Sequence, residues 1–210
     1  MKDPRLVPVE IAVMLLQEVP QKALRGVDLK QIRAEAQTLV YSFMSLEDLA
    51  EQGMLDGLVA KGKELHSVWR ELRERARSPS DALNAAKVRF TAITLEGLPN
   101  RVGREQRLYS GVDSLWGTIV SIKPFDGLRA TVVDAGERFN VVTNLQVREG
   151  DVVAFAVLPP KRFGSYVSEG MFIEAEGEGR SGQPAVPTEK GKGSIEAVLR
   201  EEAARLKVKI

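Results

Sequence analysis

Five short runs of β-branched and aromatic residues alternate with turn residues between positions 115 and 175. The runs are Leu115–Ile122, Leu128–Asp134, Phe139–Val142, Val152–Val157 and Met171–Ala175. The turns between them contain glycine, proline or aspartate and include Pro124–Gly127, Ala135–Gly136, Glu149–Asp151 and Pro159–Gly164. Short apolar runs separated by such residues are typical of β-strands. The pattern predicts a five-stranded β-barrel, closed or partly closed, over residues 112–176.

The first 87 residues predict α-helices instead. Apolar residues recur at helical spacing behind Asp28, which is a favourable N-cap residue. They recur again behind Ser45, which forms a variant capping box with Asp48. A further apolar stripe ends before Pro79, and a first helix is expected from Pro8 through Ile11–Val19, where Pro20 stops it. We therefore expect four amphipathic helices that pack into a small bundle over residues 1–87.

Three segments lie outside the bundle and the barrel. Residues 88–111 predict a connector, because Val88–Leu95 is rich in β-branched and aromatic residues and is followed by glycine and proline. Residues 177–193 are rich in glycine and proline and predict a flexible linker. Ser194 is then expected to cap a short C-terminal helix that ends at residue 210. The predicted fold class is α+β.

Composition excludes several kinds of chemistry. The chain has no cysteine, which excludes disulfides, thiolate metal sites and a cysteine nucleophile. No apolar run approaches the ~20 residues of a membrane-spanning helix, and no signal peptide is recognisable, so we expect a cytoplasmic protein without a membrane partner. The single histidine, His66, lies beside an apolar stripe and is expected to pack rather than to catalyse. No phosphate-cradling glycine loop is present, and carboxylates such as Asp126 and Asp134 have no second catalytic group at a recognisable spacing. We therefore expect no enzymatic activity, no metal and no cofactor.

Charge is distributed unevenly along the chain. The whole protein has a formal net charge of +1, whereas residues 112–176 contain six basic and nine acidic residues and sum to −3. Long-range attraction between a domain of this charge and phosphate groups is unfavourable. Any contact of the predicted barrel with nucleic acid therefore requires a local basic patch.

The segment PKRFGSYVSEGM, which is Pro160–Met171, resembles the tRNA-binding OB-fold family. Members of this family are free-standing tRNA-binding proteins and domains appended to methionyl- and tyrosyl-tRNA synthetases and to the β-subunit of the phenylalanyl enzyme. Positions that match the family pattern in register are Leu158, Pro160, Arg162, Phe163, Ser168, Gly170 and Met171. Earlier matches are Pro124, Asp126 and Leu128, followed by Asp134 and Gly136. The resemblance covers residues 112–176 and implies an OB-fold β-barrel.

Several family positions are different in this chain. The replacements are Lys123 for His, Gly127 for Lys, Val157 for Asn, Pro159 for Lys and Gly164-Ser165 for Arg-Gly. The loop that contains Lys123 is also one residue shorter than the family's His-Pro-x-Ala-Asp-Lys-Leu. Several basic groups of the family are therefore missing.

The resemblance places nucleic acid at the loops between strands 1 and 2 and between strands 4 and 5, which lie on one side of an OB barrel. Both loops contain cations, which hold phosphates, and aromatic rings, which stack on unpaired bases. The candidate RNA-binding residues are Lys123, Phe125, Arg129, Lys161, Arg162, Phe163, Tyr166 and Ser168. Two alternatives stay open: Lys161 and Arg162 are solvated loop charges, and Phe163 anchors its loop to the barrel.

We therefore expect a tRNA-binding protein that recognises tRNA shape and backbone as an accessory to aminoacylation or other tRNA handling. Its partners are then tRNA and an aminoacyl-tRNA synthetase or another tRNA enzyme. The alternative is a protein-interaction module, either chaperone-like or bridging synthetases, which the acidic barrel and the missing basic positions favour. Because free-standing members of the family are homodimers, the resemblance also implies a homodimer.

Overall fold

A computed structural model describes residues 2–210 and shows an α+β protein. These residues form the α-helices α1 (Val7–Gln17), α2 (Leu29–Val40), α3 (Leu46–Glu51), α4 (Asp56–Arg75), α5 (Pro79–Glu96) and α6 (Glu189–Leu206). One antiparallel sheet contains β1 (Ser114–Phe125), β2 (Leu128–Asp134), β3 (Arg138–Thr143), β4 (Val152–Phe163) and β5 (Tyr166–Phe172). The chain divides into two compact units, residues 2–112 with 199–210 and residues 113–198. None of the helices within residues 2–210 is both long and apolar enough to cross a membrane.

The first unit is a helical domain in which α1 to α5 share one apolar core. Asp28 caps α2 by accepting a hydrogen bond from a backbone N–H of its first turn, and Ser45 with Asp48 forms a complete capping box at α3. Helices α4 and α5 pack along each other. Gly62 permits their close approach, since a Cβ there would lie 2.8 Å from the backbone nitrogen of Glu96. The predicted helical N-terminal region is confirmed, with five helices where four were expected.

Helix α5 shows that the prediction of a connector starting at residue 88 was wrong. Residues 88–96 complete this helix, which begins with Pro79 in its first turn after the N-cap Ser78. The Ser78 hydroxyl accepts from the backbone of Asp81 in a capping box, so Ser-Pro-x-Asp was the sequence signal for the start. Val88–Leu95 gave a misleading pattern because nearly the whole circumference of the helix is buried there. The buried positions include Lys87, Arg89 and Thr91 as well as apolar residues, so no simple amphipathic stripe marks the helix.

A buried ion-pair network holds the N-terminal segment in the helical domain. The fully buried Arg5 guanidinium donates to the carboxylates of Asp3 at 2.7 Å and Glu47 at 2.6 Å. It also donates to the carbonyl oxygen of Arg104 at 2.8 Å. The hydrogen bond from Arg5 lowers the pKa of Glu47 to about 2. Burial acts to raise the pKa of Asp3, but hydrogen bonds from Arg5 and from two backbone N–H groups together outweigh burial and leave that pKa lowered.

We expect this network to weaken in acid. The folded-state pKa of Glu47 is about 2 against an ordinary value of 4.5, so its ionised form contributes stability that is complete above the ordinary value. This contribution is lost as the pH falls from the ordinary value towards the folded-state one. Urea unfolding at a series of pH values measures it, and Glu47→Gln should reduce the pH dependence, because glutamine cannot gain the proton. A parallel loss of stability in wild type and Glu47→Gln would contradict the assignment.

The second unit contains the sheet, in which the strands lie in the order β3-β2-β1-β4-β5. Strand β2 has the bounds predicted for it, and a two-residue turn joins it to β1. The φ angles of this turn, 49° at Asp126 and 74° at Gly127, are both positive, as a type I′ hairpin turn requires. The edge strands β3 and β5 lie beside each other, but within residues 113–198 no backbone ladder joins them. The five strands are confirmed, in a sheet that is not closed.

Strands β4 and β5 differ from their predicted bounds. Strand β4 continues to Phe163 and β5 already begins at Tyr166, so most of the predicted turn Pro159–Gly164 is strand. Two adjacent prolines indicated a turn, because proline cannot donate a hydrogen bond to a sheet. Both lie where the pairing of β4 with β5 is irregular, between Val157 and Lys161. The interrupted ladder at this point needs no N–H from either proline.

Residues 177–193 are not the flexible linker that glycine and proline content predicted. Residues 182–185 run along the first half of β1, where the backbone N–H of Trp116 donates to the carbonyl oxygen of Gln183 at 2.8 Å. Strand β2 pairs only with the second half of β1, so this segment supplies partners that the exposed edge of β1 would lack. Helix α6 then begins at Glu189, and Ser194 lies inside it rather than at its N-cap. The C-terminal helix itself is confirmed.

Candidate nucleic-acid interface

The β1–β2 hairpin and the β4–β5 hairpin meet at their tips. Each hairpin turns through two residues, between Phe125 and Leu128 in the first and between Phe163 and Tyr166 in the second. The rings of Phe125 and Tyr166 are in contact, with centroids 4.5 Å apart and planes inclined by 38°. The two loop segments that were predicted separately from the sequence are therefore in contact. We call residues 121–130 and 159–168 the hairpin-tip surface.

The strand register places further candidate side chains beside this ring contact. Phe163 lies directly opposite Tyr166, and Lys161 lies directly opposite Ser168. Because side chains alternate along a strand and opposite residues share a face, all four belong to one face of the hairpin. The half-buried rings are Phe125, Phe163 and Tyr166. Each of these rings keeps part of its surface in solvent and is available to a ligand.

Three exposed cations accompany the rings. Lys123 lies on the first hairpin, and Lys161 and Arg162 lie near the end of β4 on the second. Neither Lys123 nor Arg162 has an ion-pair partner among residues 2–210. Lys123 and Lys161 share the face of the rings, whereas Arg162, which lies opposite Val167, belongs to the other face. Cations from two hairpins are thus exposed beside aromatic rings, a combination suited to phosphates and unpaired bases.

Arg129, the fourth predicted cation, forms hydrogen bonds inside the domain. Its guanidinium donates to the carbonyl oxygen of Leu145 at 3.1 Å and to the side-chain oxygen of Gln146. Both acceptors belong to the connection between β3 and β4. Arg129 adds positive charge to the hairpin-tip surface, but these contacts give it a structural role in holding that connection.

Ser168 joins two strands rather than facing solvent. It is 5% exposed, and its hydroxyl accepts from the backbone N–H of Val142 at 3.0 Å and donates to the carbonyl oxygen of Gly170 at 2.8 Å. The neighbouring Glu169 carboxylate accepts from the backbone N–H of Asn140 at 2.9 Å. These bonds connect β5 to β3 along the seam of the open sheet. Glu169 was not among the predicted site residues, because no periodicity or spacing in the chain relates its carboxylate to Asn140.

Positive and negative residues are distributed unevenly within the domain. The hairpin-tip surface contains four basic residues and one acidic residue, a formal charge of +3. The remainder of residues 112–176 contains two basic and eight acidic residues, a formal charge of −6. The local basic patch that nucleic-acid binding requires is present at the tips although the domain as a whole is acidic.

His66 lies in the helical domain among packed side chains. Its ring meets that of Trp69 edge-on at a centroid distance of 5.0 Å, and its Nδ1 lies 3.3 Å from Oε1 of Glu96. Among residues 2–210 no three His, Cys, Asp or Glu side chains are grouped so that they could hold a metal ion. The hairpin-tip surface is therefore the candidate functional site.

No protein-family model matches this chain, and no curated protein sequence matches it. The resemblance to the tRNA-binding family rests on short motifs in the two hairpins and in the turn after β2.

Proposed function

We propose that the second unit binds RNA through the hairpin-tip surface and that tRNA is its natural ligand. The observation that supports this most strongly is the contact between Phe125 and Tyr166, because it brings cations and rings from two hairpins to a single rim. Cations there attract phosphates, and the rings offer stacking surfaces for unpaired bases. The acidic remainder of the domain repels RNA, so binding is confined to the rim.

The arrangement of the strands supports an OB-type barrel. Such a barrel has five strands, is partly open, and binds oligonucleotides with the help of the loops between strands 1 and 2 and between strands 4 and 5. The sheet has five antiparallel strands, and side chains of Ser168 and Glu169 bond β5 to β3. The choice of tRNA among RNAs follows from the resemblance of Pro160–Met171 to the tRNA-binding family.

In this function the protein is an accessory factor. Contacts to phosphates fix a ligand's position and carry no sequence information, so the protein recognises tRNA by shape and backbone. It then presents the bound tRNA to a partner, an aminoacyl-tRNA synthetase or another tRNA enzyme. No catalytic step is assigned to the protein itself.

Affinity for tRNA should fall steeply with salt. Each neutralised phosphate contributes about −0.7 to −0.9 to the slope of log K against log salt, so three cations predict a slope of about −2 to −3. Filter binding with total tRNA between about 50 and 200 mM NaCl covers the range in which the effect is large. Affinity that stays constant over this range would contradict binding through phosphates.

A protein-interaction function is the second candidate, and one residue of the helical domain favours it. Phe43 is 69% exposed and has a φ of 60°. A bulky residue in this left-handed conformation is strained, and an exposed, strained aromatic residue is typical of a contact site. A pull-down with and without ribonuclease distinguishes the two functions. Protein partners that resist nuclease, without co-purifying tRNA, would favour this candidate.

A further inference from the structure

We infer that the hairpin-tip surface takes a short unpaired RNA segment, in a loop or at a terminus, and not a long single strand. The expected footprint is roughly three nucleotides, below the about 4–16 nucleotides that a single-strand-binding OB-fold covers. This inference rests on the proposed function and names the class of RNA that the site recognises. Three observations carry it: the positions of the rings, the composition of the adjoining sheet face, and the distribution of charge.

Two aromatic rings are in contact at the tips, and a third lies on the same face beside them. Phe125 contacts Tyr166 from the first hairpin, and Phe163 lies opposite Tyr166 across a two-residue turn. A cluster of this size offers stacking surface to about two bases. Lys123 on one hairpin and Lys161 on the other are exposed, lie on the same face as the rings, and can hold the phosphates that flank those bases.

The face of the sheet next to the tips offers no ring to a longer strand. Thr131 and Val133 of β2 are buried, so the alternate positions Ala130 and Val132 belong to the outer face. The register places Lys123 and Val142 beside Ala130, and Ser121 and Asn140 beside Val132. Successive bases of a long strand need successive stacking platforms. This face provides aliphatic, hydroxyl and amide groups instead.

Charge also limits the footprint. Strand β2 ends at Asp134, six residues from the tip end at Leu128, and Glu137 follows in the turn to β3. The surface outside the tips sums to −6. A phosphate backbone that continued from the tips along the sheet would enter this negative region and be repelled. The favourable contacts of an RNA strand therefore end near the tips.

A length series of oligouridylates tests the footprint. We would titrate the full-length protein with oligomers of about 4, 8 and 16 nucleotides and follow amide shifts by NMR, with total tRNA bound in parallel. A footprint of about three nucleotides can sit at about 2 positions on the shortest oligomer and about 14 on the longest, so affinity should rise only by this ratio, roughly sevenfold. The slope of log affinity against log salt should not become steeper with length. Phe125→Leu and Tyr166→Leu should each weaken binding of every oligomer about tenfold. Phe172→Leu, in the same domain but outside the tips, is the matched control and should leave affinity unchanged.

The outcomes separate this inference from the proposed function. Suppose that tRNA binds, but that both the affinity divided by the number of binding positions and the salt slope keep rising with oligomer length. The inference is then wrong, while the proposed function stands. The same holds if tRNA binds while the shortest oligomer produces no shifts, or if Phe125→Leu binds all oligomers as the wild type does. If neither tRNA nor any oligomer binds, the proposed function fails and the inference fails with it. Unchanged amide spectra of the free variants exclude loss of folding as the cause.

Discussion

A variant with Lys161→Glu and Arg162→Glu should bind tRNA about 100-fold more weakly than the wild type at low salt. Both side chains are exposed near the end of β4, within the hairpin-tip surface and on its two faces. Reversal of their charge replaces attraction of phosphates by repulsion and reverses the sign of the field at the tips. Filter binding at about 50 and 200 mM NaCl measures the loss, which should shrink at the higher salt because exposed charges are screened.

A matched variant separates the site from the overall charge of the domain. Arg138→Glu with Arg180→Glu changes the net charge by the same amount but acts at the other end of β2. Arg138 lies opposite Asp134 there, and Ser181, the neighbour of Arg180, donates its hydroxyl to the carbonyl oxygen of Asp134. This control should lose less than about threefold in affinity, the effect of a distant and screened charge. Equal losses in the two variants would show that net charge, and not the hairpin-tip surface, governs binding.

Features of the fold that depend on neighbouring residues could be predicted from the sequence. The capping box of Ser45 and Asp48 and the bounds of β2 follow from local rules, and both agree with the structure. The Asp126-Gly127 turn is another local feature, because a type I′ turn needs two positive φ angles and this pair provides them at low cost. Hydrophobic patterning and turn chemistry act over a few residues, so they can be recognised in a single sequence.

The errors arose where tertiary packing overrides local preference. Val88–Leu95 was assigned to the connector because it is rich in β-branched and aromatic residues, whereas it forms turns of α5 that are buried on nearly every side. The segment after β5 looked flexible because glycine permits many conformations. Its backbone is nevertheless fixed by hydrogen bonds to β1, and Gly179 lies so close to Trp116 that a Cβ would overlap the indole ring.

The candidate site was predictable as a list of residues but not as a set of roles. Cations and rings in the two hairpins could be read directly, and the resemblance implied that these hairpins share one side of a barrel. The role of Arg129 depends on Leu145 in a different part of the chain, and that of Ser168 depends on the approach of β5 to β3. Such contacts between distant segments leave no periodic or spacing signal in a single sequence.

Replacement of Arg5 by methionine should lower the free energy of unfolding of the helical domain by about 3–5 kcal/mol. Methionine approximates the volume of the stem but cannot donate to Asp3, Glu47 or the carbonyl oxygen of Arg104. The Asp3 side chain is only 2% exposed, so without Arg5 its charge stays buried without a counter-charge. Urea unfolding followed by the amide signals of α1 and α3 measures the loss in the unit that contains the network.

Two companion variants distinguish the buried charge from lost packing. Arg25→Met removes an exposed arginine of the same unit and should change the free energy of unfolding by no more than about 0.5 kcal/mol. Addition of Asp3→Asn and Glu47→Gln to Arg5→Met removes the charges that Arg5 leaves behind, and this triple variant should regain part of the lost stability. Breaking a buried pair on one side costs more than replacing the whole network by neutral groups. If the triple variant is no more stable than Arg5→Met alone, the loss comes from packing and backbone hydrogen bonds, and the ion pairs do not hold the N-terminal segment in place.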